Sequence, residues 1–289
     1  MLNGNLKLAV QKNGRLTETS LSLIRNCGLE IEDYSERLII SARNYSLDIL
    51  FLRDDDIPEY VHDGVADIGI VGEDVLYEKK SSVQILRKLG YGKCNLSIAV
   101  PEGRNINELK ELNGLRIATS FPNLLKKFLD TNNINANVVE ISGSVEIAPS
   151  LGVADLIFDL VSTGNTLKFN KLKKSFDIYS FESVLIVNKD ISLDNKKNDQ
   201  LIDLLQRIDS ALNAKKSKYL MMNAPKTSLE KIKNIVPALS SPTILPLADE
   251  SMIAVHAVIS SEQFWAIHQS LKNEGASGLL LLPIENIIL

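Results

Sequence analysis

The chain has few of the residues that build metal centres and disulfide networks. Its 289 residues include two cysteines and three histidines. Cys27 and Cys94 stand far apart without a CxxC spacing, and His62, His256 and His268 form no pair at helical spacing. These counts predict neither a disulfide framework nor a built-in zinc site, and they favour a reducing, cytoplasmic setting.

Long apolar runs and an excess of positive charge are also missing. No run approaches the roughly 20 apolar residues that cross a bilayer, and the first residues, MLNGNLKLAVQKNGRL, lack the pattern of a signal peptide. The formal net charge is -4, so no general basic field is available to attract nucleic acid. A phosphate-binding site would therefore have to be local.

The tetrapeptide GVAD occurs twice, as residues 64–67 and 152–155. Each copy follows a helix-like run and precedes an apolar strand and a loop with glycine. A strand, loop and helix also begin each half, at Leu6 and at Leu115. A chance match of small residues is one interpretation. The shared order of elements favours two similar α/β lobes, with a ligand in the cleft at strand carboxyl ends.

The last part of the chain has a different pattern. A long helical run over residues 197–220 precedes segments in the order β-α-β-β-α-β, which is typical of a ferredoxin-like domain. Ser228 and Ser261 are candidate helix N-caps. We expect a first lobe over 1–100 with 185–217, a second lobe over 101–184, and a third domain over 218–289.

The segment DLVSTGNT offers the groups that hold a phosphate without net positive charge. Asp159 ends an apolar strand, and residues 162–166 add backbone N–H groups, three hydroxyls and an amide. Asp159 is placed to accept hydrogen bonds from ribose hydroxyls or to help hold hydrated Mg²⁺. The alternative is a polar turn after a buried strand.

The first half contains a related set of candidates. Lys12 and Arg15 in QKNGRL are cations that can neutralise phosphate, although the loop can equally be a solvated surface. Asp67, Gly69 and Gly72 in DIGIVGEDV lie where a backbone can approach a planar base.

The acidic run RDDDIP suggests two roles. It can be a metal site or a helix entry, and Asp56 before Pro58 favours the entry.

Several segments together resemble the long form of the ATP phosphoribosyltransferase family, nearly from end to end. They are QKNGRL, LRDDDIP, GVADIGIVGEDVL, RIATSFPNLLKKFLD, GSVEIAPSLGVADLIFDLVSTGNTL, SKYLMMNAP and SPTILPLAD. The resemblance implies an α/β fold, with a two-lobed, periplasmic-binding-protein-like (type II) catalytic part and a small ferredoxin-like regulatory domain. It implies transfer of phosphoribosyl from phosphoribosyl pyrophosphate to N1 of ATP, the first step of histidine biosynthesis. It also implies a requirement for Mg²⁺ and inhibition by histidine.

Site residues follow from the same resemblance. The segment matching the phosphoribosyl pyrophosphate signature contributes Glu146, Asp155, Asp159, Ser162, Thr163, Gly164, Asn165 and Thr166. Contacts with the phosphates and the nucleotide would come from Lys12, Arg15, Asp67, Gly69 and Gly72. Of these residues, Lys12, Arg15 and Asp159 are the candidates for catalysis. We expect Mg²⁺ to be bound mainly through substrate phosphates, with its protein ligands unassigned.

The resemblance also assigns the third domain. The histidine site would be lined by Leu239, Ser241, Thr243, Gly275 and Ala276. Dimers that assemble into hexamers are implied, and AMP is a further candidate inhibitor. The segment YGKCNLSIAVPEG is shorter than in some long-form members, which affects one loop.

Two rival functions remain open. A solute-binding or sensor protein shares the two-lobed cleft, but the phosphate loop and the lack of a signal peptide argue against it. An inactive catalytic subunit that needs a separate regulatory partner is the other. The chain's own third domain argues against that.

Overall fold

The structure is a computed structural model that describes residues 4–32, 37–161, 165–189, 195–236 and 241–288, with the backbone alone for Asn165. By internal contacts the chain divides into two units. One contains Met1–Leu21 and Ile31–Asp194, and the other contains Ser22–Glu30 and Asn195–Leu289. No helix within the described ranges combines the length and the apolarity that crossing a membrane requires.

A six-stranded sheet and its helices form the first lobe. The strands lie in the order β2-β3-β1-β4-β11-β5, with β1 parallel to β3 and β4 and β11 antiparallel to its neighbours. Its strands are β1 (Leu6–Gln11), β2 (Ile39–Ser41), β3 (Leu47–Leu52), β4 (Ile68–Gly72), β5 (Val83–Lys88) and β11 (Ser183–Asn188). Its helices are α1 (Thr17–Asn26), α2 (Ile57–His62) and α3 (Glu73–Lys79). The central strands are apolar and buried, as expected for parallel strands covered on both faces.

A five-stranded sheet forms the second lobe and repeats this plan. The order is β10-β6-β9-β7-β8, with β7 parallel to β8 and β9 and with β6 antiparallel to β9 and β10. Its strands are β6 (Cys94–Pro101), β7 (Arg116–Thr119), β8 (Asn137–Glu140), β9 (Leu156–Val161) and β10 (Leu172–Phe181). Its helices are α4 (Pro122–Thr131) and α5 (Asn165–Phe169). Leu96, Ile117, Phe128 and Phe158 are among the residues that form its core.

The chain passes between the two sheets twice, from β5 to β6 and from β10 to β11. The sequence DIYSFESVLIVNKD therefore contains the end of one strand and the whole of the next, which lie in different sheets. The break is at Glu182. Strand β6 begins at Cys94 and pairs within the second sheet. The domain limits given above stay a prediction.

The two GVAD copies occupy equivalent positions in the two lobes. Gly64 and Gly152 both have φ of +70°, the left-handed conformation that glycine adopts readily where a helical segment ends. The aspartates that follow begin the lead into β4 and β9. The repeated sequence thus marks a repeated turn, and the similarity of the halves is structural.

The last described part of the chain forms the predicted β-α-β-β-α-β domain. After α6 (Asn195–Lys216) come β12 (Ser217–Pro225), α7 (Leu229–Ile235), β13 (Thr243–Pro246), β14 (Met252–Ser260), α8 (Ser261–Asn273) and β15 (Ser277–Pro283). The sheet order β13-β14-β12-β15 is that of a ferredoxin-like fold. Contacts group α6 with this domain, whereas we had expected residues 185–217 in the first lobe.

The helix caps of this domain differ in part from prediction. Ser260, and not Ser261, caps α8: its hydroxyl accepts from the Gln263 N–H at 3.1 Å. The Gln263 side chain bonds back to the Ser260 N–H and completes a capping box. Ser228 is at the N-cap of α7 as predicted, without a side-chain hydrogen bond.

Candidate active site

Charged side chains from both lobes gather around Arg15. Arg15 follows β1, Asp54 follows β3 and Asp74 follows β4, and these three strands are parallel neighbours. Asp159 stands near the carboxyl end of β9 in the second lobe. The Arg15 guanidinium acts electrostatically on all three carboxyl groups. The structure therefore brings together the predicted Arg15 and Asp159 at strand carboxyl ends.

The loop between β1 and α1 curls around one side chain. The Oε1 atom of Gln11 accepts a hydrogen bond from the Leu16 N–H at 3.1 Å, and a Cβ at Gly14 would lie 2.5 Å from the Gln11 amide. A larger residue at this position would displace the Gln11 amide. The turn leaves Arg15 exposed and Lys12 half-buried, so both predicted cations are available to an anion.

Asp54 and Asp74 belong to the cluster, although the sequence analysis did not select them. Burial, then the charges of Asp74 and Asp55, raise the pKa of Asp54 to about 6. Burial also raises the pKa of Asp74. Within the described residues, Oδ1 of Asp54 is buried and has no hydrogen-bond partner. The run of three aspartates after an apolar strand was the available signal, and we had interpreted it as a helix entry.

That helix entry is also present. Asp54–Asp56 form a 3₁₀ turn, and α2 begins at Ile57 with Pro58 in its first turn. Asp56 occupies the N-cap position, but its side chain makes no cap hydrogen bond. One short segment thus starts a helix and contributes a carboxyl group to the cluster.

Asp159 is only partly exposed. Burial, and to a smaller extent the charge of Glu146, raise its pKa to about 6, although the Leu160 N–H and Arg15 favour the carboxylate. The Leu160 N–H donates to Oδ1 at 2.8 Å. A carboxylate that is poorly solvated in the absence of ligand gains from hydroxyl donors, so Asp159 is suited to bind a diol.

The predicted phosphate loop follows β9, and the structure describes only its end. Ser162, Thr163 and Gly164 lie outside the described residues, so their predicted phosphate contacts stay a prediction. Asn165 begins α5, and Thr166 is exposed in its first turn.

The two predicted nucleotide-binding glycines have different surroundings. A Cβ at Gly69 would lie 2.7 Å from Cγ2 of Ile57, so this glycine allows α2 to pack on β4. A Cβ at Gly72 would lie 2.1 Å from Oδ1 of Asp74. Gly72 therefore makes room for the Asp74 carboxyl group. Both glycines therefore make room for side chains of the protein, and these contacts do not by themselves support the predicted approach of a nucleotide base.

Asp67 and Asp155 are not in this cluster. They precede the amino ends of β4 and β9, opposite to the strand ends that carry Asp159 and Asp74. The Asp67 carboxylate accepts from the Lys7 N–H at 2.7 Å, and Asp155 accepts from the Arg116 N–H at 2.8 Å and pairs with its guanidinium. Because both carboxylates tie neighbouring strands together, we leave them out of the proposed site.

Cys94 is the other group near Arg15 that the sequence analysis did not select. This buried thiol begins β6, and the Arg15 guanidinium acts on it electrostatically. Burial raises its pKa. Cys94 therefore stays a neutral thiol beside the charged guanidinium.

The predicted histidine-site residues lie on opposite edges of the third sheet. Ser241 and Thr243 are exposed at edge strand β13, while Gly275 and Ala276 immediately precede the other edge strand, β15. Three strand spacings of about 4.8 Å each separate the edges. Leu239 lies outside the described residues. Within the described residues of a single chain, the segment with Thr243 and the segment with Gly275 therefore do not meet.

The carboxyl groups around Arg15 are candidate ligands for the expected Mg²⁺. The described ranges contain no group of three or more His, Cys, Asp or Glu side chains placed to hold a metal ion. Asp54 and Asp159 nevertheless offer carboxylate oxygens beside Arg15, and oxygen ligands suit Mg²⁺. The donors fit an ion that takes most of its ligands from phosphates and water.

Comparison with known proteins assigns the family. The family model "HisG: ATP phosphoribosyltransferase" matches residues 53–210, and "HisG, C-terminal domain" matches residues 214–286. The chain belongs to the ATP phosphoribosyltransferase family. A curated ATP phosphoribosyltransferase of Cytophaga hutchinsonii is 46% identical over 283 residues and covers 98% of both chains. The protein of that name from Bacteroides thetaiotaomicron is 44% identical, covering 98% of this chain and 99% of its own.

A solved structure agrees with this assignment. The ATP phosphoribosyl transferase (HisG:HisZ) complex from Thermotoga maritima matches with a TM-score of 0.59 and 31% identity, covering 71% of this chain and 96% of that chain. The two lobes have the type II periplasmic-binding-protein-like fold. With the C-terminal domain present, the chain is a long-form ATP phosphoribosyltransferase, a pentosyltransferase of histidine biosynthesis.

Proposed function

We propose that the chain transfers the phosphoribosyl group of phosphoribosyl pyrophosphate to N1 of ATP, releasing pyrophosphate with inversion at C1. The observation that carries the proposal is the electrostatic interaction of Asp159, at a strand carboxyl end of the second lobe, with Arg15, at a strand carboxyl end of the first. A cleft with a carboxylate on one wall and a cation on the other suits a ribose diol that bears a pyrophosphate.

The chemistry needs alignment more than acid–base groups. The transition state resembles an oxocarbenium ion, and the negative charge grows on the departing pyrophosphate. Arg15 and Lys12 would stabilise that charge electrostatically, and Asp159 would accept hydrogen bonds from the ribose hydroxyls. The loop of residues 162–166 would hold the 5'-phosphate. Bound Mg²⁺ would neutralise phosphate charge, with Asp54 and Asp159 as candidate ligands.

Regulation and assembly form the second part of the proposal. Histidine would inhibit the enzyme by binding the ferredoxin-like domain where the Thr243 segment of one copy meets the Gly275 segment of another, because one chain holds these segments at opposite edges of the sheet. AMP is a candidate co-inhibitor. Dimers would assemble into hexamers. We place the enzyme in the cytoplasm, the reducing setting that its two free cysteines favour.

The ultraviolet absorbance of the purified protein with ATP, phosphoribosyl pyrophosphate and Mg²⁺ tests these roles. A rise from N1-ribosylated adenine that histidine suppresses supports both parts. A rise that histidine leaves unchanged refutes the regulatory part alone. Saturable binding of phosphoribosyl pyrophosphate without turnover would favour a binding protein.

A further inference from the structure

Helix α3 of the first lobe is attached to the region where the chain passes between the two sheets. The Glu73 N–H donates to the Glu182 carbonyl at 3.0 Å, and the Glu182 N–H donates to Oε2 of Glu73 at 3.1 Å. Lys88 pairs with Oε1 of Glu73 at 3.0 Å. The Tyr77 ring stacks on Phe181 with centroids 5.8 Å apart. The start of α3 is therefore fixed at the second crossing.

The other end of α3 caps a helix of the second lobe. Phe121 occupies the N-cap of α4 and has no side chain that could accept a hydrogen bond, and Pro122 has no N–H to satisfy. Oε1 of Glu78 accepts from the Asn123 N–H at 2.9 Å, and Oε2 accepts from the Leu124 N–H at 3.0 Å. The Leu125 N–H bonds to Phe121 within the helix. Glu78 therefore satisfies the N–H groups that the first turn of α4 leaves unpaired.

A second bond makes the contact reciprocal. The Asn123 side-chain amide donates to the Glu78 carbonyl at 3.0 Å. Beside these bonds a groove of about 750 Å³ opens between α3 and α4, lined by Tyr77, Lys80, Lys127 and neighbouring residues. Because this groove separates part of the two helices, apolar packing contributes little to the contact between α3 and α4 there. The Glu78 hydrogen bonds are therefore what joins the helices.

We propose that Glu78 is a positioning residue that sets the spacing of the two lobes, and thereby the distance from Asp159 to Arg15. Helix α3 follows β4, the neighbour of the strand that leads to Arg15. Helix α4 follows β7, the neighbour of the strand that carries Asp159. The contact thus joins the helices that follow strands adjacent to those with the charged groups. The inference rests on the proposed transferase activity.

Distances between the lobes test this directly. Spin labels would be attached to cysteines introduced for the exposed Ile39 in β2 and Glu140 in β8, the strands on each sheet farthest from the crossings. Pulsed electron paramagnetic resonance on the ligand-free full chain then gives the distance distribution. Cys27 and Cys94 are buried and should not take up label.

The variants distinguish the charge of Glu78 from its hydrogen bonds, and both from a general effect of mutating α3. Glu78→Gln keeps one acceptor and loses the charge, Glu78→Ala removes both acceptors, and Asn123→Ala removes the reciprocal bond. Lys79→Ala, an exposed neighbour on α3, is the matched control. We expect the Glu78 variants to shift or broaden the distance and to lower kcat/KM about 10- to 100-fold, with a smaller effect for Asn123→Ala and none for the control.

Two results would overturn the inference. Unchanged distances in folded Glu78 variants would show that Glu78 does not set the spacing, whatever the activity. Shifted distances with unchanged kcat/KM would show that the spacing does not position the site. Lack of turnover in the unlabelled wild-type protein would count against the proposed function instead, and the distances would still decide the role of Glu78.

Discussion

At the residue scale, the cluster around Arg15 holds more negative charge than one guanidinium balances. Asp54, Asp74 and Asp159 are all partly or fully removed from water, and each has a raised pKa. The fold therefore keeps carboxyl groups in an unfavourable environment that a ligand with hydroxyl donors or cations would relieve. Such sites are where function and stability conflict.

Asp159→Asn should lower kcat/KM for phosphoribosyl pyrophosphate about 10- to 100-fold. Hydrogen bonds to a charged group contribute about 1.5–3 kcal/mol, and about 1.4 kcal/mol corresponds to a factor of ten. In the wild type, kcat/KM should fall as the pH drops through about 6, because the protonated carboxyl group loses its charge. The variant should lose that part of the pH profile.

Initial rates between pH 5 and pH 8 measure this effect. Asp130→Asn, an exposed site on α4, is the control. An unchanged kcat/KM in Asp159→Asn would remove Asp159 from the site.

Asp54→Asn should stabilise the fold at pH 8 by about 1–2 kcal/mol. The folded-state pKa is raised from 3.8 to about 6, so the folded protein binds the proton more tightly than the unfolded chain does. Stability is therefore greatest below the unfolded pKa and falls as the pH rises through about 6. The gain of the variant should shrink toward pH 5. Urea titrations at pH 5 and pH 8 check this, and an equal gain at both values would contradict it.

At the element scale, the repeated GVAD turns fasten β4 to β1 and β9 to β7. Asp67 accepts from the Lys7 N–H in β1, and Asp155 accepts from the Arg116 N–H at the start of β7. These turns lie away from the strand ends that carry the charged cluster. The repeat therefore has a structural role, and it occurs twice because the two lobes share a topology.

Asp67→Ala should cost more stability than Asp155→Ala. Asp67 is 4% exposed, so its loss leaves the part-buried Lys7 N–H without this acceptor at a cost of about 2–3 kcal/mol. The exposed pair of Asp155 with Arg116 should contribute about 1 kcal/mol. Urea denaturation measures both. KM values should stay within about twofold, and a large rise in KM would return these residues to the binding site.

Gly69→Ala should mainly lower stability, whereas Gly72→Ala should mainly lower kcat/KM. At Gly69 the methyl group meets Ile57 and overpacks the α2 contact, so stability should fall by about 1–3 kcal/mol. At Gly72 it displaces the Asp74 carboxyl group, so kcat/KM should fall about tenfold with little loss of stability. Thermal unfolding and initial rates distinguish the two. Equal stability losses would refute the distinction.

At the scale of the whole molecule, catalysis and regulation are assigned to different domains. Thr243→Val should raise the histidine concentration for half-inhibition about tenfold, because one hydroxyl hydrogen bond contributes about 1 kcal/mol or slightly more. The uninhibited kcat should not change. Ser261→Ala is the control, since Ser260 supplies the cap of α8. Unaltered inhibition by histidine in Thr243→Val would place the effector elsewhere.

Prediction from sequence was most accurate where the signal was local. The run LKLAV, the periodic apolar face of α6 and the final β-α-β-β-α-β order became the expected elements. The phosphate loop and Arg15 were selected because their residue types suit anions. Asp54 and Asp74 were missed because each is unremarkable beside its sequence neighbours, and only the parallel packing of β3, β1 and β4 brings them to Arg15.

The sequence by itself determined the elements, the repeat and the family, since these depend on local residue preferences and on segments long enough to be specific. Tertiary structure alone decided that DIYSFESVLIVNKD divides between two sheets at Glu182. It also decided that Asp67 and Asp155 bond to backbone and that Glu78 caps a helix of the other lobe. The physical reason is that a carboxylate has no preferred role of its own: its partners, which lie 39 to 60 residues away, are chosen by strand pairing and lobe packing.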